Sequence, residues 1–244
     1  MNPAPVNVDN FAHAETDRMF AAIQQLAGGV NRWHHYREPT PLSGQTVIRM
    51  NRDTLYSAAI VDISEGAVVT LPDAGERYLS VMVVNQDHYI NQIFHNAGDH
   101  ALDVATFDTP YVLLAARTMV DPADPADVAA VNALQDQLGL TASSAVPHVM
   151  PDYDPTSFTA TREALLTLSA GTDGFASSFG SRAEVDPVRH LLGAAAGWGG
   201  LPEREAFYGN VNLGLPVSDY SLTVRDVPVD AFWSISLYDA DGYF

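Results

Sequence analysis

The chain has 244 residues, no cysteine and a formal net charge of -18, and all 12 of its basic residues are arginine. Without lysine there is no Schiff-base chemistry, no Walker A loop and no Ser–Lys dyad; without cysteine there is no thiol nucleophile, thiolate-held zinc or iron–sulfur cluster. The acidic balance argues against a nucleic-acid face and against anionic membranes, and no apolar run is long enough to span a bilayer.

The first residues lack a basic start followed by an apolar stretch, so no secretory signal is expected and the expected compartment is the cytoplasm. Asp9 is placed to cap a helix whose apolar positions Phe11, Met19, Ala22, Ile23 and Leu26 recur at helical spacing until Gly28-Gly29 ends it. Residues 31–41 read as a loop carrying Trp33, His34, His35 and Tyr36.

From residue 45 the pattern becomes one of short strands, expected over 46–50, 54–62, 67–71, 77–84, 88–94 and 111–120. Ser64-Glu65-Gly66, Asp73-Ala74-Gly75 and Asn96-Ala97-Gly98 read as the turns between them. Strands joined this tightly must be antiparallel, because a parallel pair needs a long crossover. The fold class is therefore α+β and strand-rich, with an antiparallel sandwich or barrel.

Asp124-Pro125, Asp154-Pro155 and Asp186-Pro187 each open a helix by the same device, an N-cap acceptor followed by a proline at the first helical position. Residues 123–200 are thus expected to be a helical insert. Strands return at 220–227 and 231–238, followed by the hairpin signal Asp241-Gly242, yet only Tyr243-Phe244 follow it. A one-armed hairpin predicts an unpaired apolar edge, and is read here as a truncated chain.

Several groups are candidates for chemistry. In extended backbone Asn51 and Asp53 share one face while Arg52 and Tyr56 share the other. Asp53 could act as a general base and Arg52 as an anion grip, or the cluster could fix strand register, in which case Asp53→Asn should lose at least about 2 kcal/mol. Asp87-His88 could be a base with its orienting partner, although adjacent side chains seldom face each other, and an exposed turn is the alternative. His88, His95 and His100 lack metal-ligand spacing, so no metal and no cofactor are expected. Trp33, Trp198 and Tyr208 could wall an aromatic pocket or simply plug the core. No Gly-x-Ser-x-Gly and no Gly-x-Gly-x-x-Gly is present, which removes the usual serine-hydrolase and dinucleotide motifs.

The run from Val47 to Ser57, with Asp62, Gly66, Leu71-Pro72 and Arg77-Tyr78, resembles the family known as domain of unknown function 1254. Ala194 to Gly200, Tyr208 and the stretch from Tyr220 onward resemble the start of domain of unknown function 1214. The resemblance implies a jelly-roll-like unit over 1–122, the helical insert over 123–200, and the beginning of a second such unit over 201–244. It also implies further strands beyond the Asp-Gly turn.

Two functions fit these readings. One is a small-molecule-binding protein or cofactor-independent enzyme with a polar pocket between the two units, formed by Asn51, Arg52, Asp53, Tyr56, Asp87 and Trp198. The other is a non-enzymatic homo-oligomeric module. The first requires inward-pointing polar groups in a concavity, the second a solid core and an apolar external patch.

Overall fold

The computed structural model describes residues 3–42, 51–209, 214–216, 218–239 and 243. Helix α1 (Phe11–Ala27) leads to a short strand β1 (His34–His35), and the strands β2 (Thr54–Asp62), β3 (Ala67–Leu71), β4 (Leu79–Asn85), β5 (Ile90–Phe94) and β6 (Gly98–Leu102) follow. One helical turn, α2 (Val104–Phe107), precedes β7 (Tyr111–Met119); α3 (Pro125–Gln135), β8 (Gly139–Ala142), α4 (Pro155–Ser169) and α5 (Pro187–Ala196) complete the order.

Two antiparallel sheets result, one of five strands in the order β1-β2-β7-β4-β5 and one of three in the order β6-β3-β8. They pack face to face over a core that includes Ala59, Val61, Val69, Val81, Val83, Val112 and Leu114. The opposite face of the larger sheet carries Ile60, Met82, Val84 and Leu113, which pack beneath Phe20 of α1 and Phe179. Helices α1, α4 and α5 close a third apolar cluster around Phe11, Leu165 and Leu192. Strand β4 is buried along its whole length, because it is covered on both faces. That is why its sequence shows a continuous apolar run instead of alternation.

The three Asp-Pro helix starts hold. The carboxylates of Asp124, Asp154 and Asp186 accept from the amides of Ala126, Ser157 and Val188 at 2.8, 2.8 and 2.9 Å. Helix α1 differs from expectation: Asn10, not Asp9, occupies its N-cap, and that side chain accepts instead from the Asn7 amide. Gly28 ends the helix in the left-handed conformation at φ +74°, as its lack of a Cβ permits.

Some readings are corrected. The turn expected at 96–98 instead leads into β6, and the insert contains a strand, β8, that completes the smaller sheet. Gly139 is the first residue of β8. It also lets β8 approach β3, since a Cβ there would lie 2.9 Å from Cβ of Thr70. The strands expected at 220–227 and 231–238 are absent: the described residues there are without strand, because none of them enters a ladder with a partner. The strand expected at 46–50 and the Asp241-Gly242 turn lie outside the described residues. Among those described, no helix is long and apolar enough to cross a membrane.

Candidate functional site

The helix-side face of the five-stranded sheet is covered unevenly. Register places Ile60, Leu113 and Val84 in one cross-strand row, Ala58, Ala115 and Met82 in the next, and Tyr56, Arg117 and Ser80 in the third. The first row is fully covered by the helical layer. In the second row Ala58 and Ala115 are only partly buried, although they lie on the two adjoining strands β2 and β7.

The third row is polar. Arg117 is 9% exposed, and its buried Nε has no hydrogen-bond partner. Its guanidinium carbon sits 5.8 Å from the Tyr56 ring centre, the guanidinium also hydrogen-bonds the Tyr56 hydroxyl, and no carboxylate pairs with it among the described residues. Burying a cation costs several kcal/mol, whereas a contact with an aromatic face returns only about 0.5–2 kcal/mol, so the ring does not offset the burial. Arginine cannot relieve the deficit by losing its proton.

Around this row the polar side chains are positioned by turns. The Asp53 amide donates to Asn51 Oδ1 at 2.8 Å, which fixes the amide orientation of Asn51, so that its Nδ2 donates to Tyr56 Oη at 3.1 Å and to Thr54 Oγ1 at 3.0 Å. Extended alternation had placed Asn51 and Tyr56 on opposite faces; this Asx turn, which ends before β2 begins, brings them together. Tyr78 and Ser80 share a hydroxyl hydrogen bond of 2.9 Å, and Phe232 packs edge-on to Tyr78 at 5.3 Å. Asp53 does not pair with Arg52; it accepts from the Ser234 hydroxyl at 2.7 Å. Tyr208 is exposed and lies near Arg117.

Arg52 goes elsewhere, lining a shallow cleft with Glu38, Pro39, Pro122, Pro125 and Val128 at the start of α3. Trp33 packs against the core between the sheets, stacked at 6.2 Å on His35.

The remaining candidates gather on the helical layer. In the β4–β5 turn, Asn85 Oδ1 accepts from the amides of Asp87 and Tyr89, and His88 adopts φ +67° between them. His88 is fully buried, accepts from the Gly199 amide at Nε2 (2.9 Å) and stacks on Trp198 at 5.4 Å. Burial, reinforced by the neighbouring His190, pushes it down to about 3, so it is neutral. Its accepting nitrogen is already occupied.

Asp87 turns away from His88 and meets His13 of α1, Oδ1 to Nδ1 at 2.7 Å. The other nitrogen of His13 lies 3.6 Å from Asp17 Oδ2. Asp17 is 1% exposed and also accepts from His148 Nε2 at 2.9 Å and Tyr153 Oη at 2.8 Å. Burial pushes Asp17 up, but the hydrogen bonds from His148 and Tyr153 more than offset that and hold it below the ordinary carboxylate value. The bond to Asp87 raises His13 against its own desolvation. With a carboxylate beside each ring nitrogen, His13 is a clamp between elements.

His95 and His100 make separate contacts: His95 pairs with Glu205 at 2.9 Å, and His100 stacks on Phe94 at 4.2 Å. Among the described residues no group of three His, Asp or Glu is arranged to hold a metal.

Sequence reasoning passed over Arg117, Ser80 and Tyr78. The signal for Arg117 was a lone charge inside the largely apolar run 111–120.

Residues 30–101 match the family described as "Protein of unknown function (DUF1254)". The likeness of the C-terminal part to the 1214 family finds no support in that comparison. The VPA0106 protein from Vibrio parahaemolyticus has a similar crystal structure, with a TM-score of 0.58 at 16% identity over 81% of this chain and 69% of that one. At that identity the similarity speaks for the fold alone. No curated protein matches the chain.

Proposed function

We propose that the protein binds a small organic molecule on the open half of its larger sheet, over Tyr56, Ala58, Ala115 and Arg117. One observation carries this reading: at the centre of a packed sheet, where large apolar side chains are expected, this row holds a buried arginine that no carboxylate pairs among the described residues, beside two alanines that leave room. Asn51, Tyr56 and Tyr208, already candidates from the sequence, stand at its margin; Asp53 is tied to Ser234 and serves the rim. The contacts of His88 and Asp87 suit structural tasks, so the reading is one of binding rather than acid–base catalysis. Ala115→Trp should fill the space above the sheet. A fluorine-labelled fragment library screened by NMR against the full chain tests it: compounds that bind the wild type and lose binding to Ala115→Trp support the site, and hits indifferent to that change refute it.

A second reading, self-association, is favoured by the exposed Leu215, Leu222, Trp233, Ile235 and Leu237. A monomeric mass by light scattering at high concentration would remove it.

A further inference from the structure

We infer that the ligand of this face is a small amphipathic monocarboxylate, its carboxylate held by Arg117 and Tyr56 and its apolar body laid over Ala58 and Ala115. The inference rests on the binding reading above and names the chemistry of the same site.

The first argument is a surplus of donors. Because Asn51 Oδ1 is taken by the Asp53 amide, it is the NH2 of Asn51 that faces Tyr56, and the phenol oxygen accepts. The phenol proton is then left to donate, and no acceptor for it is found among the described residues. Tyr78 and Ser80 share one hydrogen bond between two hydroxyls, so whichever of them donates, one proton is left over. Arg117 adds its unpartnered Nε. Donors thus converge on one row without an acceptor, and the missing partner is an anion.

The second argument sets the charge. Arg77 is committed to Asp127 and Arg204 to Glu184, while His95 faces Glu205, and among the described residues of this row Arg117 is the one positive charge. One cation matches one negative charge, and the chain's net charge of -18 repels polyanions such as nucleotides. A planar guanidinium takes a carboxylate through two parallel hydrogen bonds, a fit it does not have for a halide.

The third argument sets the shape. One row away, Ala58 and Ala115 pack against the helix-side apolar cluster of Phe20, Ile60, Met82 and Phe179, as do Ile23, Ile93, Trp198 and Leu201. The environment therefore changes from cationic to apolar within two residues along each strand, about 7 Å. That suits an acid whose head and tail differ as sharply.

Calorimetric titration of the full chain with hexanoate and benzoate, beside the uncharged hexanamide and benzamide, tests the assignment. The acids should bind at least ten-fold more tightly than their amides. Arg117→Gln should abolish that preference, Arg117→Lys should keep part of it, and Tyr56→Phe should weaken the acids alone. Without ligand, Arg117→Met should raise the melting temperature by about 3 °C or more, since it removes a buried charge that no described carboxylate pairs. Amides that bind as well as acids would overturn the carboxylate assignment and leave the binding site standing. Binding by none of the four probes, with a lower melting temperature for Arg117→Met, would overturn both.

Discussion

His13 and Asp87 are 74 residues apart in the chain, and their side chains meet at 2.7 Å, joining the first helix to the β4–β5 turn. The other ring nitrogen of His13 faces Asp17, so one imidazole lies between two carboxylates. This pairing makes the stability of the protein depend on pH.

His13 is raised above its ordinary 6.5, so its contribution is present in full below that value and is lost as pH rises through the higher folded-state value. Asp87 is held low, chiefly by the bond from His13, and Asp17 is held low by its donors; their contributions are lost only in acid, as pH falls through their folded-state values. The buried neutral His88, held down to about 3, loses its contribution as pH falls below 6.5, so the melting temperature should peak at about pH 6.5 and decline toward pH 8. His13→Gln should flatten that decline and cost about 1 kcal/mol at pH 6, a small figure because the ring edge is exposed. A wild-type profile flat from pH 6 to 8 would rule out this role for His13.

Asp17 is a harsher test, since it is buried and accepts from His148 and Tyr153. Asp17→Ala should cost about 3–5 kcal/mol in urea unfolding at pH 7, the usual cost of a broken buried network. A loss near 1 kcal/mol would mean that water replaces the carboxylate.

Asp53→Asn now carries a different expectation from the one drawn from alternation. Its carboxylate is partly exposed and accepts from Ser234, a bond an amide oxygen can also accept. The loss should stay below about 1 kcal/mol. Chemical denaturation showing more than 2 kcal/mol would return Asp53 to the interior of a charge network.

Gly139→Ala should be costly for its position. The added methyl would press on Thr70, and overpacking of this kind typically costs about 1–3 kcal/mol. Thr70→Gly in the same chain should recover part of the loss, as a double-mutant cycle can show.

Trp233, Ile235 and Leu237 are 53, 59 and 87% exposed. The chain should bind a hydrophobic dye, and replacing all three with serine should remove most of that signal. Unchanged dye binding would place the apolar surface elsewhere.

What the sequence determined alone was local. Strands β2 and β3 were read with their observed limits, because β-branched runs bounded by Gly and Asp turns depend on neighbours a few residues away. The three Asp-Pro helix starts were equally legible, since the cap acts on amides two or three residues on. The exclusions from missing lysine and cysteine needed no structure. Tertiary structure decided which polar groups meet. Arg117 became a site only when β2 and β4 placed Tyr56 and Ser80 on either side of it, and Asp87 found its partner in α1 rather than in the adjacent His88. Spacing along a chain reports its own periodicity, whereas a site depends on distances between strands that register alone sets.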